Sequence, residues 1–182
     1  GIKARLTVRG FKDLQGFSLE TYAGTASRWG QRMILSIAVL HGWQLFSADV
    51  GSAFLKGLTF DQVATVTGQP ARTVCFDPPR DAIPILREIK GLEHFDLSCV
   101  LEMLRPGFGL KDAPRLWRLR PDQVVRKTGG IALQSDKNLH QWRRNENRKR
   151  ILALLLSTHV ADLKAAGRPD AREAVTLPRS AP

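Results

Sequence analysis

Ile151-Leu152-Ala153-Leu154-Leu155-Leu156-Ser157-Thr158-His159-Val160-Ala161-Asp162-Leu163-Lys164-Ala165-Ala166 is the stretch that decides the fold. Its apolar run, Ile151 to Ser157, has the length and composition of a strand. Thr158 to Asp162 then reads as a polar, acid-bearing turn, and Leu163 to Ala166 as a further strand. Upstream, Asn138 to Arg143 is strand-like, and the polar Asn145-Glu146-Asn147 closes an earlier hairpin onto the apolar run. Working back to the first third, Trp43 to Val50 is a short β-rich segment ending near Asp49. The chain therefore carries two acids, Asp49 and Asp162, at strand ends.

Helices are expected around this sheet. From Ser27 the apolar positions Trp29, Met33, Ile37 and Leu40 recur at three- and four-residue spacing, with Ile34 and Ala38 beside them, until Gly42 supplies a stop. Asp61 to Thr67 and Ile83 to Ile89 read as short helical pieces between Pro- and Gly-bearing connections. After Pro114 a further helix is expected, which Pro121 should kink or divide because it has no N–H to donate.

The 182 residues suit one domain or a large part of one. At 43% hydrophobic and 25% charged, the chain can bury a core and lacks the composition of a disordered protein. Its 28 Lys and Arg against 17 Asp and Glu leave a net +11, which favours a polyanionic partner, nucleic acid first and an acidic membrane surface second. The excess sits at the two ends: residues 1–60 carry 7 basic and 3 acidic side chains and residues 121–182 carry 12 and 6, while residues 61–120 are nearly balanced. No apolar run approaches the roughly 18 to 20 residues of a membrane helix. No leader peptide is visible and Gly1 opens the chain, so an internal piece of a longer, intracellular product, in cytoplasm or nucleus, is expected. Cys75 and Cys99 match no zinc or disulfide spacing and are expected to be reduced, buried and inert. The Pro-, Arg- and Ala-rich end, 168–182, is expected to be a loosely ordered tail after a domain over 1–167.

Read in order, five segments resemble the reverse transcriptase domain of copia-type retrotransposon polyproteins. Lys3 to Phe11 (Lys-Ala-Arg-Leu-Thr-Val-Arg-Gly-Phe) is similar to that family's Lys-Ala-Arg-Leu-Val-Ala-Arg-Gly-Phe, and Glu20 to Ala23 to its Glu-Thr-Phe-Ala. Asp49 to Gly57 (Asp-Val-Gly-Ser-Ala-Phe-Leu-Lys-Gly) resembles Asp-Val-Lys-Thr-Ala-Phe-Leu-Asn-Gly. Gly109 to Trp117 (Gly-Leu-Lys-Asp-Ala-Pro-Arg-Leu-Trp) resembles Gly-Leu-Lys-Gln-Ala-Pro-Arg-Ala-Trp, and His159 to Asp162 falls where the family has Tyr-Val-Asp-Asp.

The resemblance implies an α+β fingers-and-palm fragment of a right-hand polymerase, with an antiparallel palm sheet and helices packed on one face; because the chain stops soon after the final hairpin, no thumb is expected. It implies RNA-directed DNA synthesis from a template-primer and deoxynucleoside triphosphates, with carboxylates holding two Mg²⁺ or Mn²⁺ ions. Carried over residue by residue, Asp49 and Asp162 are the catalytic acids and metal ligands, with the Val50 carbonyl a further ligand. Lys3, Arg5, Ser52, Ala53, Phe54, Phe108 and Gly109 take the nucleotide. On charge rather than on the resemblance, the basic set Arg143, Arg144, Arg148, Lys149 and Arg150 is expected to contact nucleic acid, against the plainer reading of a solvated hairpin tip, and Lys111 either to contact the template or to cover apolar surface with its stem.

The chain also departs from the family. Ala161 stands at the first aspartate of the paired-acid turn, removing one of three expected carboxylates and implying little or no polymerase activity. Asp112 replaces Gln and would repel phosphate. A degenerate, truncated copy is one outcome; the alternative is a nonenzymatic basic remnant that binds nucleic acid through backbone charge. Trp29, Trp43 and Trp117 are expected in the core, Trp142 is the exception amid its arginines, and His41 and His94 are expected to be structural or exposed.

Overall fold

The structure, a computed structural model, describes residues 6–171. In chain order its elements are α1 (Arg28–His41), β1 (Gln44–Asp49), α2 (Phe60–Thr67), β2 (Cys75–Phe76), α3 (Ile83–Arg87), β3 (Leu101–Glu102), α4 (Ala113–Lys127), β4 (Ile131–Ala132), β5 (Leu139–Glu146), β6 (Lys149–His159) and β7 (Asp162–Gly167). β1, β7, β6, β5 and β4 form one antiparallel sheet in that order, and β2 pairs with β3 apart from it.

Local chemistry sets the boundaries of these elements. The Ser27 hydroxyl accepts the Gly30 N–H at 2.9 Å, and Gly42 ends α1 in the left-handed region at φ 61°. Thr59 and Gln62 form a reciprocal capping box that starts α2. Asn147 and Arg148, at φ 48° and 63°, make the two-residue turn between β5 and β6. Both residues at positive φ match the right-handed twist of the flanking strands. Between Trp142 and Arg143 the register slips so that Ala153 of β6 is extra, a bulge that re-aims the strand.

The packing corrects the expectation of helices on one face. Along β6, Leu154 and Leu156 pack with Trp142, Leu163, Ala165 and Val125 of α4 on one side. Leu155 packs on the other side with Leu139, Ala166 and Ile34 and Ala38 of α1. The unbroken apolar run makes β6 hydrophobic on both faces, so each face needs a cover and one helix takes each.

Three further expectations change. The buried stripe of α1 is Gly30, Ile34 and Ala38, leaving Trp29 at 76% exposure beneath the Arg32 guanidinium, 5.5 Å from its ring centroid. Gly30 is decisive because a Cβ there would lie 2.9 Å from an Asp136 carboxylate oxygen, so the smallest stripe docks closest. Trp142 is buried, its indole N–H donating to the Thr128 carbonyl at 3.0 Å. Cys75 is exposed and Cys99 half-buried, because each lies in the sparsely covered middle section rather than on the main sheet.

α4 runs unbroken through Pro121, whose ring is buried on the packed side; one lost backbone hydrogen bond does not divide a helix anchored by Leu116, Trp117 and Val125. Beyond β7, the Arg168 N–H donates to the Ala153 carbonyl at 3.2 Å and Ala171 packs against the core, so 168–171 continue the fold. Lys3, Arg5 and the remainder of the expected tail, 172–182, lie outside the described residues. Among the described residues no helix is long and apolar enough to cross a membrane.

Candidate functional site

Register brings the two strand-end acids together. Asp49, last residue of β1, is the Cα partner of Asp162, first residue of β7, and Asp162 is in turn paired with His159, last residue of β6. Directly opposed residues of antiparallel strands project to the same face. The row Asp49, Asp162, His159 therefore lies along one edge of the sheet on the α1 side, with all three side chains exposed. A cleft of about 240 Å³ opens beside it, lined by Gln31, Ser157, His159, Asp162 and Lys164.

The turn between β6 and β7 is held from both sides. The Val50 N–H donates to the Ala161 carbonyl at 3.0 Å, so the residue expected as a carbonyl ligand also ties β1 to the turn through its amide. From α4, the buried Trp117 indole N–H donates to the Val160 carbonyl at 2.7 Å.

The expected nucleotide residues that are described also converge. Ser52, at φ 55°, opens the single turn Ala53–Lys56, where Ala53 is buried. The Phe54 ring meets that of Phe108 edge-on, centroids 5.4 Å apart. Phe108 accepts the Val8 N–H at 2.9 Å, and Gly109, at φ 96°, comes so close that a Cβ there would lie 2.0 Å from the Val8 carbonyl. The segment opening with Val8 thus packs on the segment opening with Phe108.

Two expectations fare differently. Asp112 does not face phosphate: it is buried and ion-paired with Arg72, which also pairs with Asp13 and lies over the Phe60 ring at 5.8 Å. Arg72, in a loop without a motif, reaches it only through tertiary folding. The basic hairpin tip lies at the far end of β6 from His159, about 30 Å away at ~3.3 Å per residue. There Arg144 pairs with Glu146 and Asp170, Arg168 joins Glu146, and Arg143 donates to the Gln141 side chain. The Arg144 guanidinium holds the Glu146 carboxyl below its ordinary range. Lys111 sits over the Phe17 ring, 4.7 Å from its centroid. Gln31 and Lys164, which the sequence did not single out, line the cleft because of where α1 docks and how β7 alternates.

The donor set falls short of two divalent ions. Asp49 and Asp162 supply two carboxylates, Ala161 supplies a methyl group, and Lys164 adds a cation to the wall of the same cleft. Among the described residues no group of three or more His, Cys, Asp or Glu side chains converges to hold a metal ion.

Similarity to known proteins extends over most of the chain. The chain is 28% identical over 146 residues to the retrovirus-related Pol polyprotein from transposon RE2 of Arabidopsis thaliana, a match covering 80% of the chain and 9% of that protein. It is 26% identical over 146 residues to the corresponding polyprotein from transposon RE1 of the same plant, with the same coverage. With the polyprotein from transposon TNT 1-94 of Nicotiana tabacum it shares 26% over 167 residues, 91% of the chain and 11% of the relative. The chain is similar to transposon Pol polyproteins over most of its length. It spans about a tenth of the length of these curated relatives. No family model and no solved structure matches it.

Proposed function

We propose that this Pol-like chain is the fingers-and-palm part of a copia-type RNA-directed DNA polymerase whose nucleotidyl-transfer site is incomplete. The observation that carries the reading is the cross-strand pairing of Asp49 with Asp162, the second of which lines the cleft. Two acids that are 113 positions apart in the chain share a row only through this sheet. The segments that resemble the family's nucleotide-contacting motifs, around Phe54 and Phe108, pack together beyond β1. Transfer of a nucleotidyl group depends on positioning and charge neutralisation rather than on covalent chemistry by the protein. In this reading Asp49 and Asp162 face the reacting phosphate and Phe54 lies under the sugar. Template-primer and deoxynucleoside triphosphates are the partners, and Mg²⁺ or Mn²⁺ the expected ions. Ala161 removes one carboxylate where transition-state charge must be offset, which on the scale of single electrostatic groups costs about 10²-fold or more in rate.

The test is primer extension on an RNA template with Mg²⁺ and with Mn²⁺, comparing the chain with its Ala161→Asp variant. Extension by the variant alone is the expected result. Extension by both would mean that Asp49 and Asp162 suffice. Extension by neither, with retained nucleic-acid binding that weakens steeply with salt, favours the second reading, a nonenzymatic basic module, which the net charge of +11 supports.

A further inference from the structure

Val160 is β-branched and sits at φ 47°, in the left-handed region that such side chains rarely occupy. Its neighbour Ala161 lies in the same two-residue turn, between the last residue of β6 and the first of β7. A strained backbone of this kind persists only where its surroundings over-determine it. Two contacts do so here: the Val50 N–H on the Ala161 carbonyl at 3.0 Å, and the Trp117 indole N–H on the Val160 carbonyl at 2.7 Å. Trp117 is 3% exposed and its backbone packs 3.6 Å from where a Gly57 Cβ would be, so α4 reaches the segment after Asp49 and the turn before Asp162 at once. The pairing of Asp49 with Asp162 needs the turn to close at residues 160 and 161 and no other pair, because a one-residue slip would send Asp162 to the opposite face.

We infer that Trp117 is a positioning residue: its indole N–H holds the Val160-Ala161 turn in a conformation Val160 would not adopt unaided, and so fixes Asp162 opposite Asp49. The residue touches no reacting group and acts through the turn. That Asp49 and Asp162 serve nucleotidyl transfer belongs to the polymerase reading, whereas the coupling between residues 117 and 160 can be measured without any activity.

The experiment is amide hydrogen exchange, resolved by residue, on the whole chain and on Trp117→Phe, Val160→Asn and the double variant. Asn tolerates the left-handed region far better than Val. Trp117→Phe is expected to speed exchange of the Val50 N–H by at least about tenfold relative to the Leu154 to Leu156 amides. Val160→Asn in the Trp117→Phe background is expected to restore most of that protection. A general packing loss at residue 117 would not be repaired by a change at residue 160. Unchanged Val50 exchange in Trp117→Phe overturns the inference, as does a double variant no better protected than Trp117→Phe alone. Should Trp117→Phe fail to fold, recovery of folding by the double variant supports the inference and its failure to recover overturns it. In the Ala161→Asp background the same Trp117→Phe change is expected to lower kcat with KM for nucleotide little altered. Absence of extension by Ala161→Asp itself would count against the polymerase reading and leave the exchange result standing.

Discussion

Asp136 shows how one side chain fixes the docking of α1 on the sheet. Burial pushes its carboxyl up, but the Ser27 and Asn138 N–H groups, each 2.9 Å from a carboxylate oxygen, outweigh it and hold the carboxyl below its ordinary range. A depressed folded-state value means the stabilisation is complete above the unfolded value, about 4, and fades as pH falls through the folded one. Asp136→Ala should therefore cost about 1–3 kcal/mol at neutral pH, and less in acid, read as melting temperature against pH for both proteins. Arg72→Ala should be more severe, about 3–5 kcal/mol by chemical denaturation, because Asp112 would remain buried without its cation. At this scale legibility divides by locality. Asp49 and Asp162 were readable because a strand and its end are local patterns. Asp112 was misread as phosphate-facing because its partner Arg72 is 40 positions away, and no local signal marks that pairing.

The helices show which patterns survive tertiary packing. In α1 two apolar stripes compete, Trp29-Met33-Ile37-Leu40 and Gly30-Ile34-Ala38. Hydrophobicity alone favours the first, whereas close approach to a sheet favours the second, with Gly30 against Asp136 and Leu139. Ile34→Ala should accordingly cost about 2–5 kcal/mol. Trp29→Ala should stay within about 0.5 kcal/mol, both read from denaturant midpoints at fixed slope. The start and stop of α1 were legible, since Ser27 and Gly42 act on the backbone beside them. The continuity of α4 was not, because the local cost of Pro121 is offset by packing of Leu116, Trp117 and Val125 on groups remote in sequence.

On the scale of the molecule, charge and topology act separately. The net +11 predicts affinity for nucleic acid that falls with salt whatever the site does. Replacing Arg148, Lys149 and Arg150 together with Ala should weaken binding to all sequences alike and flatten the salt dependence, measured by titration at several salt concentrations. Their distance from Asp162, nearly the length of β6, leads us to expect that the same change in the Ala161→Asp variant raises the KM for template-primer and leaves kcat at saturating template little altered. The charge, the strand and hairpin order of the last third, the bounds of α1 and the motif resemblance are all legible without coordinates, because they rest on composition or on neighbours along the chain. The cover on both faces of β6, the pairing of Asp112 with Arg72 and the hydrogen bond from Trp117 to the turn beside Asp162 emerge from packing. Each depends on pairing across long sequence separations, where burial and register, set by the whole sheet, override what any one segment prefers.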